Sequence, residues 1–183
     1  NLFASEIFVF TPKGEIKTMP QNSTALDFAF SLHTDLGSHC IGAKVNHKLV
    51  PLSHKLESGD QVEILTSKSQ RVQPSWEVFA TTAKAKAKIA AILKKEQKNF
   101  QKEGERILHD FLLEEELQAD ESNIEKLCKL HNMKTADDLY MAIGSKNIIL
   151  GDTDRNELKE KASNWKKYLT FSFGTNKENK DRP

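Results

Sequence analysis

The sequence is short of the residues that usually betray chemistry. Its only two cysteines, Cys40 and Cys128, lie far apart. That excludes a disulfide framework and fits a reducing cytosol, so a cytoplasmic location is expected. No apolar run approaches the ~18 residues of a membrane span, and no signal peptide precedes the strand-like residues 6–10. No membrane partner is therefore expected. The phosphate loop GxxxxGK[ST] is missing, so nucleotide hydrolysis by that route is excluded. No Ser/His/Asp or Cys/His arrangement of nucleophilic type stands out. CxxC pairs are also missing. His33, His39 and Cys40 do not supply the ligand set of a structural zinc site. A lone His109-Asp110 pair lacks the further ligands of a metal shell and is expected on an exposed helix face. The expectation is a chain with no catalytic centre, no metal and no cofactor. It opens without Met and is taken for a fragment of a longer protein.

A net charge is nearly lacking too, at +1 over 183 residues, but the charges are unevenly spread. Residues 1–66 carry net −2, residues 67–102 net +7, residues 103–150 net −6 and residues 151–183 net +2. A concentrated basic block in a balanced chain is either a polyanion-binding surface or a solvated helix face.

What is present is a clear change of pattern along the chain. Glu6–Phe10 and Glu15–Met19 form a hairpin across the TPKG turn. Thr24 and Asp27 form a capping box that opens a helix from Ala25 to about Leu36, with Gly37 as its stop. Strands follow at Ile41–Val45, Leu49–Leu52 and Gln61–Thr66. This ββαβ(β)β order predicts an α+β, β-grasp (ubiquitin-like) domain over residues 1–66. SKSQRVQP predicts a linker over 67–75. Beyond it every element is helical: Trp76–Lys98, Phe100–Leu117, Ile124–His131, Ala136–Ile143 and Asp154–Leu169. An all-α domain over 76–174 and a polar tail over 175–183 are expected.

Two features are candidate binding groups. On the first helix, Ala25, Phe28, Ala29, Leu32 and Leu36 share an apolar face, and Asp27, Ser31, Thr34 and Asp35 lie opposite. His33 falls at the edge of the apolar face, either satisfied locally or offered to a ligand. In TTAKAKAKIAAILKKEQKN, Lys84, Lys88, Lys95 and Lys102 make one stripe, with Val78, Ile89, Ile92 and Leu93 on the other side. Lysines at 1.5 Å rise per residue can track a phosphate backbone. Lys86 points toward the apolar side and is expected to snorkel, and Arg71 extends the patch. Pairing with Glu114-Glu115-Glu116 would instead hide the stripe. On the first strand, Phe8 and Phe10 alternate with Ile7 and Val9. One face meets the helix and the other is a candidate protein-docking patch.

FVFTPKGEI (Phe8–Ile16), STALDFAFSLHTDLG (Ser23–Gly37), CIGAKVN (Cys40–Asn46) and LESGDQVEILT (Leu56–Thr66) resemble the TGS domain of RelA/SpoT stringent-response enzymes. PSWEVFATTAKAKAKIAAILKKE (Pro74–Glu96) resembles the helical domain that follows TGS in long members of that family. The resemblance implies a parent that makes or degrades (p)ppGpp, a GTP pyrophosphokinase or (p)ppGpp hydrolase. Its catalytic domains precede TGS. It implies a regulatory, non-catalytic role for this segment, with deacylated tRNA and ribosomal RNA as partners. The histidine matching the family's HTDLG-type motif, His33, would contact the free CCA 3′ end. Single-stranded ends are read by stacking and edge hydrogen bonds. Lys44 and Lys48 would approach phosphate nearby, and Lys84, Lys88 and Lys95 the RNA backbone. The competing expectation is a protein-docking module, with acyl carrier protein or the parent's own catalytic domains as partner.

Overall fold

A computed structural model describes residues 5–159. The chain divides into two compact units, residues 1–95 and 96–183.

In the first unit, β1 (Glu6–Phe10) and β2 (Ile16–Pro20) pair antiparallel, with Ile7 opposite Met19 and Phe10 opposite Ile16. Gly14 closes their turn at φ +85°, a conformation that suits glycine. β3 (Cys40–Val45) pairs antiparallel with both β4 (Lys48–Val50) and β5 (Val62–Thr66). The two sheets join through a parallel bridge, Phe10 to Gln61, flanked by Phe10 N–H donating to the Asp60 carbonyl at 2.8 Å. The spatial order is therefore β2-β1-β5-β3-β4, the β-grasp order, in an α+β domain.

Helix α1 (Ala25–Leu32) crosses one face of this sheet. The capping box forms: Thr24 Oγ1 accepts from Asp27 N–H, and the Asp27 carboxylate accepts from Thr24 N–H. Ala25 and Phe28 pack on Ile7, Val9, Met19, Ala43, Val45, Leu56 and Val62. The opposite side of α1 is buried as well. Leu26, Ala29 and Phe30 pack with Val72, Trp76, Ala80, Ala85 and Ile89. A helix apolar nearly all round belongs inside a domain, and α1 is such a helix.

The structure differs from the expectations at five points. The first helix does not run on to Leu36: it breaks at His33 (φ −164°, ψ 146°), and a second short helix, α2 (Thr34–Ser38), follows. Gly37 is not a stop. It lies within α2, where a Cβ would come 2.4 Å from the Phe30 ring. Residues 67–75, expected as a linker, pack on the β-grasp core: Val72 is buried and His39 Nδ1 bonds the Gln70 carbonyl at 2.9 Å. The expected helix Trp76–Lys98 is α3 (Trp76–Phe79), an extended Ala80, and then α4 (Ala83–Glu114), which passes the expected break near residue 99. Val78, assigned to the apolar side of that helix, sits on α3 and is exposed.

The second unit gathers the later turns of α4, α5 (Glu121–Leu130), α6 (Ala136–Gly144) and the helical residues 152–159 around Leu108, Leu112, Leu127, Leu139, Ile143 and Leu158. Asp120 and Thr135 cap α5 and α6 by accepting from Asn123 and Asp138 N–H. α4 and α6 meet backbone to backbone: a Cβ on Gly104 would lie 1.6 Å from the Tyr140 oxygen, and one on Gly144 1.8 Å from the Phe100 oxygen. The expected continuation of the last helix to Leu169, and the polar tail, lie outside the described residues.

Candidate nucleic-acid interface

The interruption at His33 builds the most distinctive group of the first unit. Because His33 is extended, its ring folds back as the N-cap of α2, and Nδ1 accepts from Asp35 N–H at 3.1 Å. Nδ1 is thus the acceptor nitrogen, so the neutral ring carries its proton on Nε2 as a donor. His33 is exposed rather than lying at the edge of the core, because the break rotates it off the apolar face of α1. Leu36, expected on that face, is also exposed. His39 is structural: its ring is tied to Gln70.

Asp27, expected on the solvent side, is 1% exposed. Besides Thr24, it accepts from the N–H groups of Thr81 and Thr82 at 3.0 Å and from their hydroxyls at 2.8 and 3.0 Å. Burial pushes this carboxyl up, but the hydrogen bonds from Thr24, Thr82 and Thr81 outweigh it and hold it below the ordinary aspartate range. Thr82 in turn caps α4, its Oγ1 accepting from Ala85 N–H at 3.2 Å. Asp27 thus fastens the start of α4 to the start of α1. The Thr24–Asp27 spacing predicts Asp27 as part of a cap. Its second role was not legible, because the expected helix Trp76–Lys98 runs through Thr81 and Thr82, whereas α4 starts only after them.

The lysines divide. Lys84 and Lys95 are exposed on α4, and so is Lys86, which does not snorkel. Lys84 and Lys86 sit near the positive end of the α4 dipole, where their charges add to it instead of cancelling it. Lys88 is different: it is half-buried, and its Nζ donates to the Phe30 carbonyl at 3.1 Å. Lys44 is exposed on the outer face of the sheet, opposite Glu63 and Leu49, and Lys48 is exposed on edge strand β4. Glu115 takes Arg155 and Lys159 as its partners within the second unit.

Ile7 and Val9 face α1 and are buried, which leaves Phe8 and Phe10 on the outer face of the sheet. Phe8 is 50% exposed and Ile16, opposite Phe10, 62%; Phe10 itself is half-buried. His109 and Asp110 are exposed, and Asp110 pairs with Arg106 at 2.9 Å. Among the described residues no cluster of three or more His, Cys, Asp or Glu could hold a metal, and no helix is long and apolar enough to cross a membrane.

Comparison with known proteins matches two family models. The TGS domain covers residues 7–66 and the RelA/SpoT AH domain residues 91–152. A GTP pyrophosphokinase of Myxococcus xanthus is 39% identical over 153 residues, 79% of this chain and 20% of that protein. A guanosine-3′,5′-bis(diphosphate) 3′-pyrophosphohydrolase of Aquifex aeolicus is 40% identical over 149 residues, 81% of this chain and 21% of that protein. A bifunctional (p)ppGpp synthase/hydrolase RelA of Mycobacterium tuberculosis is 48% identical over 100 residues, 54% of this chain and 14% of that protein. The chain spans about a fifth of the length of the first two relatives. With a TGS domain and an AH domain in succession, it belongs to the RelA/SpoT family of (p)ppGpp metabolism.

Proposed function

We propose that this segment is the sensing part of a (p)ppGpp synthetase/hydrolase, reading the free CCA 3′ end of deacylated tRNA on the ribosome and controlling the parent's catalytic domains. The observation that carries this reading is His33. Its Nδ1 is committed to capping α2, so the ring orientation is set locally and Nε2–H is left as a donor on an exposed turn. Such a donor suits a ribose or phosphate oxygen, and the ring face suits an unstacked base. An aminoacyl group on the 3′-oxygen would crowd so close a contact, which gives the site a way to distinguish charged from uncharged tRNA. The exposed Lys84 and Lys95 support backbone contact, and Lys44 and Lys48 support a phosphate contact from the sheet. The test is binding of deacylated tRNA to the 183-residue chain across a salt series. The lysine contacts predict that affinity falls as salt rises; salt-independent binding would refute them.

A second reading draws on the outer face of the sheet, where Phe8 and Ile16 are exposed. That surface would dock a protein, either acyl carrier protein or the parent's catalytic domains. Capture of protein that RNase treatment leaves unchanged and Phe8→Asp abolishes would favour it.

A further inference from the structure

We infer that Lys88 is a positioning residue for His33, not a contact to RNA phosphate. The inference deepens the CCA-end reading and rests on it for its functional consequence. The Phe30 carbonyl lacks a partner within its own helix. The extended backbone at His33 ends α1 at Leu32, so Phe30, in the last helical turn, has no N–H four residues on to bond its carbonyl. Phe30 is fully buried, so water is a poor substitute. Lys88 fills the need from α4, its ammonium donating to that oxygen at 3.1 Å. A cation there also meets the negative end of the α1 dipole.

From Phe30 the connection runs on to the imidazole. The Phe30 ring lies against Gly37, so closely that a methyl group there would sit 2.4 Å from it. Gly37 belongs to α2, whose N-cap is His33, and Gly37 N–H donates back to the His33 carbonyl at 3.1 Å. Lys88, the Phe30 carbonyl, the Phe30 ring, Gly37 and His33 are thus a continuous series of contacts within one unit. At the other end of α1, Asp27 holds Thr81 and Thr82 just ahead of α4. The opening turns of α4 therefore grip α1 at both ends, and Lys88 is the grip nearest His33. A shift of α4 would be felt at the imidazole through this lysine.

The test uses the 183-residue chain with Lys88→Gln, Lys88→Arg and Lys95→Gln. One readout is the His33 imidazole resonances in the free protein. The other is affinity for a CCA-ended RNA hairpin, with the 3′-hydroxyl free or blocked, across a salt series. Lys88→Gln is expected to move the His33 resonances and to cut the preference for the free end on the order of fivefold. It should leave the salt slope unchanged. Lys88→Arg, which keeps a cationic donor, should restore most of the preference. Lys95→Gln should leave His33 in place and lower the slope by about one. Unmoved His33 resonances in Lys88→Gln overturn the inference, as does a slope that drops by about one with the preference intact. If the wild type shows no preference while Lys88→Gln still moves His33, the CCA-end reading fails and the positioning stands.

Discussion

Asp27 offers the sharpest test of how the first unit holds together. Its carboxylate takes three backbone N–H groups, those of Thr24, Thr81 and Thr82. Thr24 is buried and Thr82 half-buried, whereas Thr81 is exposed and can regain water. A shielded donor left without a partner costs about 1–3 kcal/mol, so two of them set the loss in Asp27→Ala at about 4 kcal/mol. Domain stabilities run to only about 5–15 kcal/mol, and a urea slope of about 2 kcal/mol per molar converts this loss to a midpoint shift of roughly 2 M. Asp27→Asn keeps one acceptor oxygen but turns its amide hydrogens toward groups that also donate. It should lose roughly half as much. The pH dependence follows from the depressed carboxyl. A group whose folded pKa lies below its unfolded value gives its full stability above the unfolded value and loses it as pH falls through the folded one. The gap between wild type and Asp27→Asn should hold from about pH 5 to 8, start to narrow near pH 4 and close only as pH falls through the depressed folded value. Urea melts across that range are the assay. Equal midpoints at pH 7, or a gap that persists in acid, would refute the latch.

Other consequences are independent of Asp27. Gly104→Ala places a methyl group on the Tyr140 carbonyl, which neither helix backbone can yield to. It should destabilise the second unit by more than about 3 kcal/mol, read as loss of its cooperative thermal transition. Burial pushes the Cys40 thiol up to about 11. At pH 8 native protein should leave Cys40 unlabelled by a thiol reagent, and unfolded protein should label it fully. Lys146 adopts φ +65° where the chain leaves α6. Lys146→Gly should therefore stabilise by about 0.5–1 kcal/mol in the same thermal scans.

The β-grasp domain was legible because its signals are local. The period-two strands, the TPKG turn and the Thr24–Asp27 box each predict their own element. The break at His33 was not, because the apolar spacing runs unbroken through Leu32 and Leu36 and no glycine or proline marks it. It exists because the ring caps α2 and because Gly37 lets that helix close on Phe30. The packing of residues 67–75 was hidden for a related reason. Polar composition suggested a linker, while one buried side chain, Val72, and the neighbouring Trp76 decide the outcome. Charge spacing on α4 placed Lys84, Lys88 and Lys95 on one stripe. It could not show that Lys88 meets the end of another helix, which is a long-range fact. The acidic run was a plausible partner for the basic stripe by composition alone, but Glu115 is occupied by Arg155 and Lys159.

His33 is proposed above to read a free 3′ end. The direct measurement is the affinity of the 183-residue chain for deacylated and aminoacylated forms of one tRNA, with His33→Ala alongside the wild type. Wild type should bind the deacylated form more tightly, and His33→Ala should lose that preference without loss of fold. Equal affinity for both forms, unchanged by the substitution, contradicts the proposal.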